Sequence, residues 1–337
     1  MTQAQPAIPM LVIPGESAGG ASPSSTGADE FVASLATSHY ENFPVLSWLV
    51  PPALRPDFAA VYAYCRTCDD LGDETGIGEA ARARSLELLG RWRAMLEACF
   101  AHARGEAVAP PSHPVYAALS ATIRRHTLSP EPFHHLIDAF EQDQRTTRYQ
   151  TWEQLLKYCT RSADPVGRIV LALFGVRPED PANAELVAMS DATCTALQLT
   201  NFWQDVRRDL LERDRVYFPS YETGISADDL RAWLDPRGAG GDPANRVRYI
   251  KQLRELVHRT RTLFERGRPL PAQLGPRGGK VVWLFGAGGE HVLDLVERAG
   301  CTTLWQRPRL SKLSKLGLIL RASVMRCGPG AAGGGAR

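Results

Sequence analysis

The residues best suited to chemistry begin with one acidic stretch, Tyr62-Ala-Tyr-Cys-Arg-Thr-Cys-Asp-Asp-Leu-Gly-Asp-Glu74. Wound as a helix at roughly 100° per residue, it puts Tyr62, Arg66, Asp69 and Asp73 on one narrow face, with Asp70 at its edge. Like charges at that spacing destabilise a helix by roughly 0.2–0.5 kcal/mol per pair, so a cation should offset them. Carboxylate oxygens suit Mg²⁺, which is commonly held by one or two carboxylates together with substrate phosphates. Taken alone, the stretch also reads as a solvated acidic helix end.

A second stretch, Gln198-Leu-Thr-Asn-Phe-Trp-Gln-Asp-Val-Arg-Arg-Asp209, changes the balance. Gln198, Asn201, Asp205 and Asp209 fall within an arc of roughly 80°, each presenting a side-chain oxygen, and Arg208 borders the row. Thr195, Leu197, Leu199 and Phe202 flank it, so the segment reads as buried on most sides, where such a row is costly unless satisfied. Two oxygen-rich faces far apart in sequence would make a metal–diphosphate clamp. Downstream, Arg213-Asp-Arg215-Val-Tyr217-Phe-Pro219 supplies guanidinium donors that match phosphate oxygens. Mg²⁺ with Arg would neutralise a diphosphate and make it a competent leaving group.

The elements that must position these faces read as helices. Residues 1–28, rich in Pro, Ala, Ser and Gly, read as a disordered leader. Helical pattern starts at Asp29, a plausible N-cap, with Phe31, Leu35 and His39 on one face. Pro56-Asp57 opens the helix of the first motif, and Gly72 with Thr75-Gly-Ile-Gly78 closes it. Glu79–His102 follows, with an apolar stripe of Leu86, Leu89, Trp92, Met95, Leu96 and Cys99. Further helices are expected over His113–Thr127, Glu131–Arg145, Trp152–Phe174 and Asn183–Arg213, then a short one after Ser226. Arg246–Gly267, Gly279–Gly300 and Leu310–Arg326 complete the set. Val281–Gly289 has the look of a strand entering a dinucleotide loop, but His291 replaces the third glycine, so it reads as a helix with a glycine patch. Hardly any segment alternates at period two, so the expected fold is all-α, one domain of ten or so helices over 29–326, with a disordered tail at 327–337.

Composition sets the outer bounds. Of 337 residues 44% are hydrophobic and 23% charged, which suits a globular protein with a sizeable core, and a net charge of +2 gives no sign of a nucleic-acid partner. Seven scattered cysteines suit a reducing compartment. The Cys65/Cys68 pair lacks a second pair at zinc-finger spacing, and both read as helix-packing thiols. No apolar run reaches the ~20 residues of a membrane span. The expected location is the cytoplasm.

With both acidic faces in hand, the chain resembles the squalene/phytoene synthase family of class I trans-isoprenoid (terpenoid) synthases over about residues 29–320. The family's first motif matches Tyr62, Cys65, Arg66, Asp69, Asp70 and Asp73, and its second matches Gln198, Asn201, Asp205 and Asp209. An Arg-x-Tyr-x-Pro segment matches Arg215, Tyr217 and Pro219, and a Tyr-Cys pair ahead of Ala-x-x-Val-Gly matches Tyr158, Cys159, Ala163, Val166 and Gly167. The resemblance implies a helical bundle with a central cavity and ionisation of a prenyl diphosphate. It implies Mg²⁺ on Asp69, Asp73, Asn201, Asp205 and Asp209, with Asp70 and Tyr158 joining the acids as catalytic residues. Diphosphate binding would fall to His39, Tyr40, Arg66, Gln198, Asn201, Arg215 and Tyr217, and Phe43, Tyr62, Ala163 and Val166 would line the cavity.

Departures from the family pattern point to one branch. His39-Tyr-Glu-Asn-Phe43 stands where many members read His-Ser-x-Ser-Phe, and Ala163-Asp-Pro-Val-Gly167 where they read Ala-Gly-x-Val-Gly. Gln204 stands where Arg is usual, and Arg208 replaces an acid. These segments resemble the hydroxysqualene synthases of bacterial hopanoid pathways, which implies conversion of presqualene diphosphate and water to hydroxysqualene and diphosphate. Separate enzymes would make the presqualene diphosphate and reduce the hydroxysqualene. Phe43, Tyr158, Phe202 and Trp203 are candidates to face a passing cation, although Phe202 and Trp203 point about 100° apart. Tyr40, Asn42 or Asp164 could hold the capturing water. The alternatives are head-to-head condensation of farnesyl diphosphate to presqualene diphosphate or squalene, phytoene synthesis, and a non-catalytic assembly factor on the same fold. The basic, apolar stretch 307–321 suits peripheral contact with the inner membrane, or else a final bundle helix with solvated lysines.

Overall fold

Proline and glycine place most helix ends where the pattern expects them. The structure, a computed structural model, describes residues 25–38 and 49–325. Among these are thirteen α-helices, three short 3-10 turns and no strand beyond an isolated bridge between Arg148 and Val216. The fold is all-α, and none of the helices among the described residues is long and apolar enough to cross a membrane. The chain divides into two compact units, residues 1–44 with 52–130, and residues 45–51 with 131–337.

In the first unit, α1 (Ser25–Ser38), α2 (Arg55–Asp73), α3 (Glu79–Ala103) and α4 (Pro114–His126) pack together. α1 starts four residues ahead of the Asp29 cap expected for it. Pro56 sits in the first turn of α2, where its missing N–H is harmless. The buried stripe of α3 is Leu88, Leu89, Trp92, Leu96, Cys99 and Phe100, whereas Leu86 and Met95 are half-buried. Both lie roughly 80–100° off the centre of that face, so Leu88 and Phe100 take the places expected for them. Trp92 anchors the core, its ring 6.0 Å from Tyr64 and 4.3 Å from Tyr116, whose hydroxyl donates to the Trp92 carbonyl at 2.7 Å. Fully buried Asp57 ties the start of α2 to the end of α4. It accepts from Thr122 Oγ1 at 3.0 Å, lies 2.9 Å from His126 Nε2, and pairs with Arg125.

The second unit is built on α8 (Ala184–Glu212). Around it lie α5 (Glu131–Asp143), α6 (Trp152–Ser162), α7 (Asp164–Leu173), the short α9 (Ser220–Thr223) and α10 (Ala227–Ala232), then α11 (Pro243–Gly267), α12 (Leu270–Arg298) and α13 (Lys312–Val324). α8 packs directly on α6, α7, α11 and α12. A Cβ on Gly167 would lie 2.4 Å from Ser190 Oγ, and one on Gly289 would lie 2.4 Å from Leu197 Cδ2, so both partners approach α8 at glycine distance. The expected single helix Trp152–Phe174 is two, broken at Ala163 (φ −127°, ψ −53°). Pro165 has no N–H to extend the first helix and is at home in the first turn of the second. α12 starts nine residues before Gly279, and non-helical Gly275 (φ 62°, ψ −153°) ahead of Pro276 sets a short first segment at an angle to the rest. Val281–Gly289 is helical within it. α13 packs on α12, with Ala322 buried, Lys280 Nζ donating to Ser323 O at 2.8 Å, and Arg321 over the Trp283 ring.

Candidate functional site

α2 divides its charges as the helical arithmetic demands. Tyr62, Cys65, Arg66, Asp69 and Asp73 are half-buried along one face, while Asp70 turns inward to 6% exposure. Arg66 binds the acids together: Nη1 donates to Asp69 at 2.9 Å, and Nη2 lies 2.5 Å from Asp70 and 3.1 Å from Glu74. Burial pushes the Asp70 carboxyl up to about 7 against the pull of Arg66. Cys68 is buried. Burial and neighbouring Asp69 push the Cys65 thiol up to about 12, so both cysteines are packing groups. Among the described residues every cysteine is free.

On α8 the oxygen row is graded. Asn201 is exposed, Gln198 and Asp205 are half-buried, and Asp209 is buried. Thr195, Leu199 and Phe202 are buried beside them. Asp205 is held from two sides, by the Arg307 guanidinium on both its oxygens and by Arg208 Nη1 at 3.7 Å. Arg213 Nη1 lies 3.3 Å from Asp209. After α8 the chain reverses through Asp214 in the left-handed region (φ 53°), braced by Arg148 and Arg231. It then runs extended so that Val216 N donates to Thr147 O at 2.9 Å.

That return brings Arg215 and Tyr217 beside Tyr158 and Phe202 and beside two groups, Asp143 and Tyr149, to which motif reading had assigned no role. Buried Asp143, at the end of α5, accepts from Tyr158 Oη at 2.8 Å and sits 3.4 Å from Arg215 Nη1. Tyr217 stacks face to face on Phe202 at 3.6 Å, with Tyr149 and Tyr158 5.5 and 6.0 Å from its ring. Burial and Asp143 drive the Tyr158 phenol well above its ordinary range, which keeps it a donor. A small pocket opens among Phe202, Val206, Asp209, Arg215, Val216, Tyr217 and Phe218. Asp143 and Tyr149 lie in no acidic or Arg-x-Tyr-x-Pro motif. Their only sequence signal is their place at the end of α5 and just before α6.

The remaining expected residues fall as follows. Trp203 points away from Phe202, donating from Nε1 to Thr260 at 2.8 Å. Ala163 is buried at the α6–α7 corner and Val166 is half-buried. Asp164 is committed to Thr195, accepting from its Oγ1 at 2.8 Å, and burial with nearby Asp191 pushes its carboxyl up to about 7. His39, Tyr40, Asn42 and Phe43 lie outside the described residues.

The donor set suits a hard divalent cation, since every candidate ligand on the two helices presents oxygen. Among the described residues no three His, Cys, Asp or Glu side chains gather into one metal-holding group. The acids are instead met by Arg66 on α2 and by Arg208, Arg213 and Arg307 at α8. Those are the charges a metal–diphosphate pair would exchange.

Residues 36–314 match the squalene/phytoene synthase family model. The chain is 36% identical over 195 residues to a hydroxysqualene synthase of Zymomonas mobilis, covering 56% of this chain and 59% of that protein. It is 32% identical over 248 residues to the hydroxysqualene synthase of Rhodopseudomonas palustris, covering 71% and 73% of the two. The crystal structure of squalene synthase HpnC from Alicyclobacillus acidocaldarius matches 86% of this chain and 98% of that one, with a TM-score of 0.67 and 38% identity. An all-α frame, two complete oxygen-bearing helix faces and a family match across most of the sequence agree: the chain belongs to the squalene/phytoene synthase family.

Proposed function

We propose that this chain ionises presqualene diphosphate and captures the resulting cation with water, giving hydroxysqualene and diphosphate. The observation that carries the reading is the pocket at the end of α8, where the Phe202–Tyr217 stack stands beside Asp209 and Arg215. Aromatic faces attract a cation through their quadrupoles, and neighbouring charged groups suit an anionic leaving group. In the proposed step the C–O bond to diphosphate breaks and its electron pair leaves with the diphosphate. The cyclopropylcarbinyl cation left behind rearranges with opening of its three-membered ring, and water then forms the new C–O bond to the rearranged cation and gives up a proton. Mg²⁺, when bound, would neutralise the diphosphate oxygens, and Asp69, Asp73, Asn201, Asp205 and Asp209 are the residues that would hold it. Arg66 orients Asp69 and Asp70 and donates to phosphate oxygen. Gln198 and Tyr62 border the two oxygen rows. Asp143 fixes Tyr158 and Arg215 behind the aromatic stack, so these two act by holding the pocket wall and its charge in place.

The test is direct. Purified protein is incubated with Mg²⁺ and presqualene, farnesyl or a C20 prenyl diphosphate in separate reactions, without NADPH, and the lipid product is extracted. Hydroxysqualene from presqualene diphosphate is expected. Product from farnesyl diphosphate alone would favour head-to-head condensation, and product only from the longer C20 diphosphate would favour phytoene synthesis. Asp69→Ala and Asp205→Ala should each lower diphosphate release by about 10²-fold or more while the protein stays folded, the scale of removing one transition-state charge partner. Full activity in both variants removes the reading. Inactivity of the wild type on every prenyl diphosphate would favour an assembly factor.

The α13 region carries a second proposal, peripheral contact with an anionic membrane. Leu313, Leu316 and Leu320 form a row exposed at 80%, 51% and 57%. Arg307 and Arg309 precede that row and Arg321 follows it. An apolar row with basic neighbours fits the headgroup boundary of a negatively charged bilayer.

A further inference from the structure

The segment after Leu304 is strapped to the second acidic motif by contacts in register. Arg207 Nη1 donates to Leu304 O at 3.5 Å, and Gln204 Nε2 donates to Pro308 O at 2.8 Å. Between them the Arg307 guanidinium takes both oxygens of Asp205, Nε on Oδ1 and Nη2 on Oδ2. The root of the strap is firm, because Trp305 Nε1 donates to Trp233 O at 3.1 Å and Arg246 lies over its ring at 4.9 Å. Beyond that root Gln306, Arg307 and Arg309 are exposed. Gln204, the residue that departs from the family pattern, gives its amide to this strap.

A guanidinium fork on a carboxylate occupies the lone pairs a small hard cation would take. Asp205 is only 14% exposed at its side chain, so burial makes a counter-ion necessary, while Arg307 at 36% is wet enough to be displaced. We propose that Arg307 is a latch on Asp205: it neutralises the carboxylate while no divalent cation is bound, and cation binding expels it and frees residues 306–311. Released there, a guanidinium stands ready for phosphate oxygens. The latch rests on the reading of Asp205 as a cation ligand.

The test titrates the full chain with Mg²⁺ alone by calorimetry and follows hydrogen–deuterium exchange of 306–311. Arg307→Gln should bind Mg²⁺ about fivefold more tightly than wild type, the scale of a half-exposed ion pair. Saturating Mg²⁺ should speed exchange of the strap in wild type, and Asp205→Asn should show fast exchange with or without Mg²⁺. Gln204→Ala loosens the strap while leaving both charges, and should speed exchange without Mg²⁺. Equal Mg²⁺ affinity in wild type and Arg307→Gln, or slower exchange on adding Mg²⁺, overturns the latch. Equal heats for wild type and Asp205→Asn remove the cation reading and the latch with it. Heat lost in Asp205→Asn beside an unchanged Arg307→Gln removes the latch alone.

Discussion

Replacing Asp57 by Ala tests what fixes the helix that carries the first acidic motif. The carboxylate is fully buried and meets Thr122, His126 and Arg125 from α4. These partners are unequal. The Arg125 side chain is 53% exposed, so its pair with Asp57 is screened and contributes at most about 1 kcal/mol. Thr122 is buried and the His126 side chain only 12% exposed, so each makes a charge-assisted contact of about 1.5 kcal/mol. Together Asp57→Ala should cost about 3–4 kcal/mol, a quarter or more of ordinary domain stability, and Arg125→Ala less than about 1 kcal/mol. Urea unfolding followed by far-UV circular dichroism, on both single variants and the double, gives the two costs and their coupling. A cost below about 1 kcal/mol for Asp57→Ala, or an equal cost for Arg125→Ala, would refute the ranking of partners by burial.

Four other outcomes are expected. Burial holds the His113 imidazole down near about 4, so folding should lose up to about 3 kcal/mol as pH falls from about 6.5 to about 4. His113→Asn keeps an N-cap for α4 and should flatten that slope in pH-dependent unfolding. Asp164 has the opposite sign: with its carboxyl raised to about 7, stability is lost as pH rises from about 4 through 7. Asp164→Asn should therefore gain several kcal/mol relative to wild type at pH 8 and nothing at pH 3.5, read by the same titration. Gly167→Ala places a methyl 2.4 Å from Ser190 Oγ and 2.6 Å from Cys194 Sγ, and thermal unfolding should register about 1–3 kcal/mol of overpacking. Changing Leu313, Leu316 and Leu320 together to Ser should abolish sedimentation with phosphatidylserine vesicles while moving stability by less than about 0.5 kcal/mol, since all three are exposed.

Much of this was legible in the sequence because helices advertise themselves locally. The turn of α2 toward solvent on one face and inward at Asp70 follows from a 100° step, as does the divergence of Phe202 and Trp203. What local rules miss is how elements meet. The break at Ala163 hides inside continuous helical periodicity, because a proline that ends one helix is equally at home starting the next. Leu86 and Met95 look as apolar as Leu88 and Phe100, and only the packing face separates them. The motif that carries Arg215 gives no sign of Asp143, which reaches within 3.4 Å of it from a different helix. Arg307 reads as part of a basic tail because its partner Asp205 lies about a hundred positions earlier.

The two glycine contacts on α8 bear on how the acidic row behaves. Ser190, Cys194 and Leu197 meet the glycines of α7 and α12, and the row of oxygens begins at the very next residue, Gln198. The helix is thus clamped along its root by these close approaches and held along its second half by buried Leu199, Phe202, Trp203, Val206 and Leu210. Side chains without room to shift cannot roll the root, so Asn201, Asp205 and Asp209 keep their angular spacing whatever charge arrives. The flexible partners are the arginines, which can swing away, while the carboxylates stay put. A cation held as proposed would meet side-chain oxygens whose directions were fixed when the chain folded, with the ordering entropy of aligning them spent at that stage.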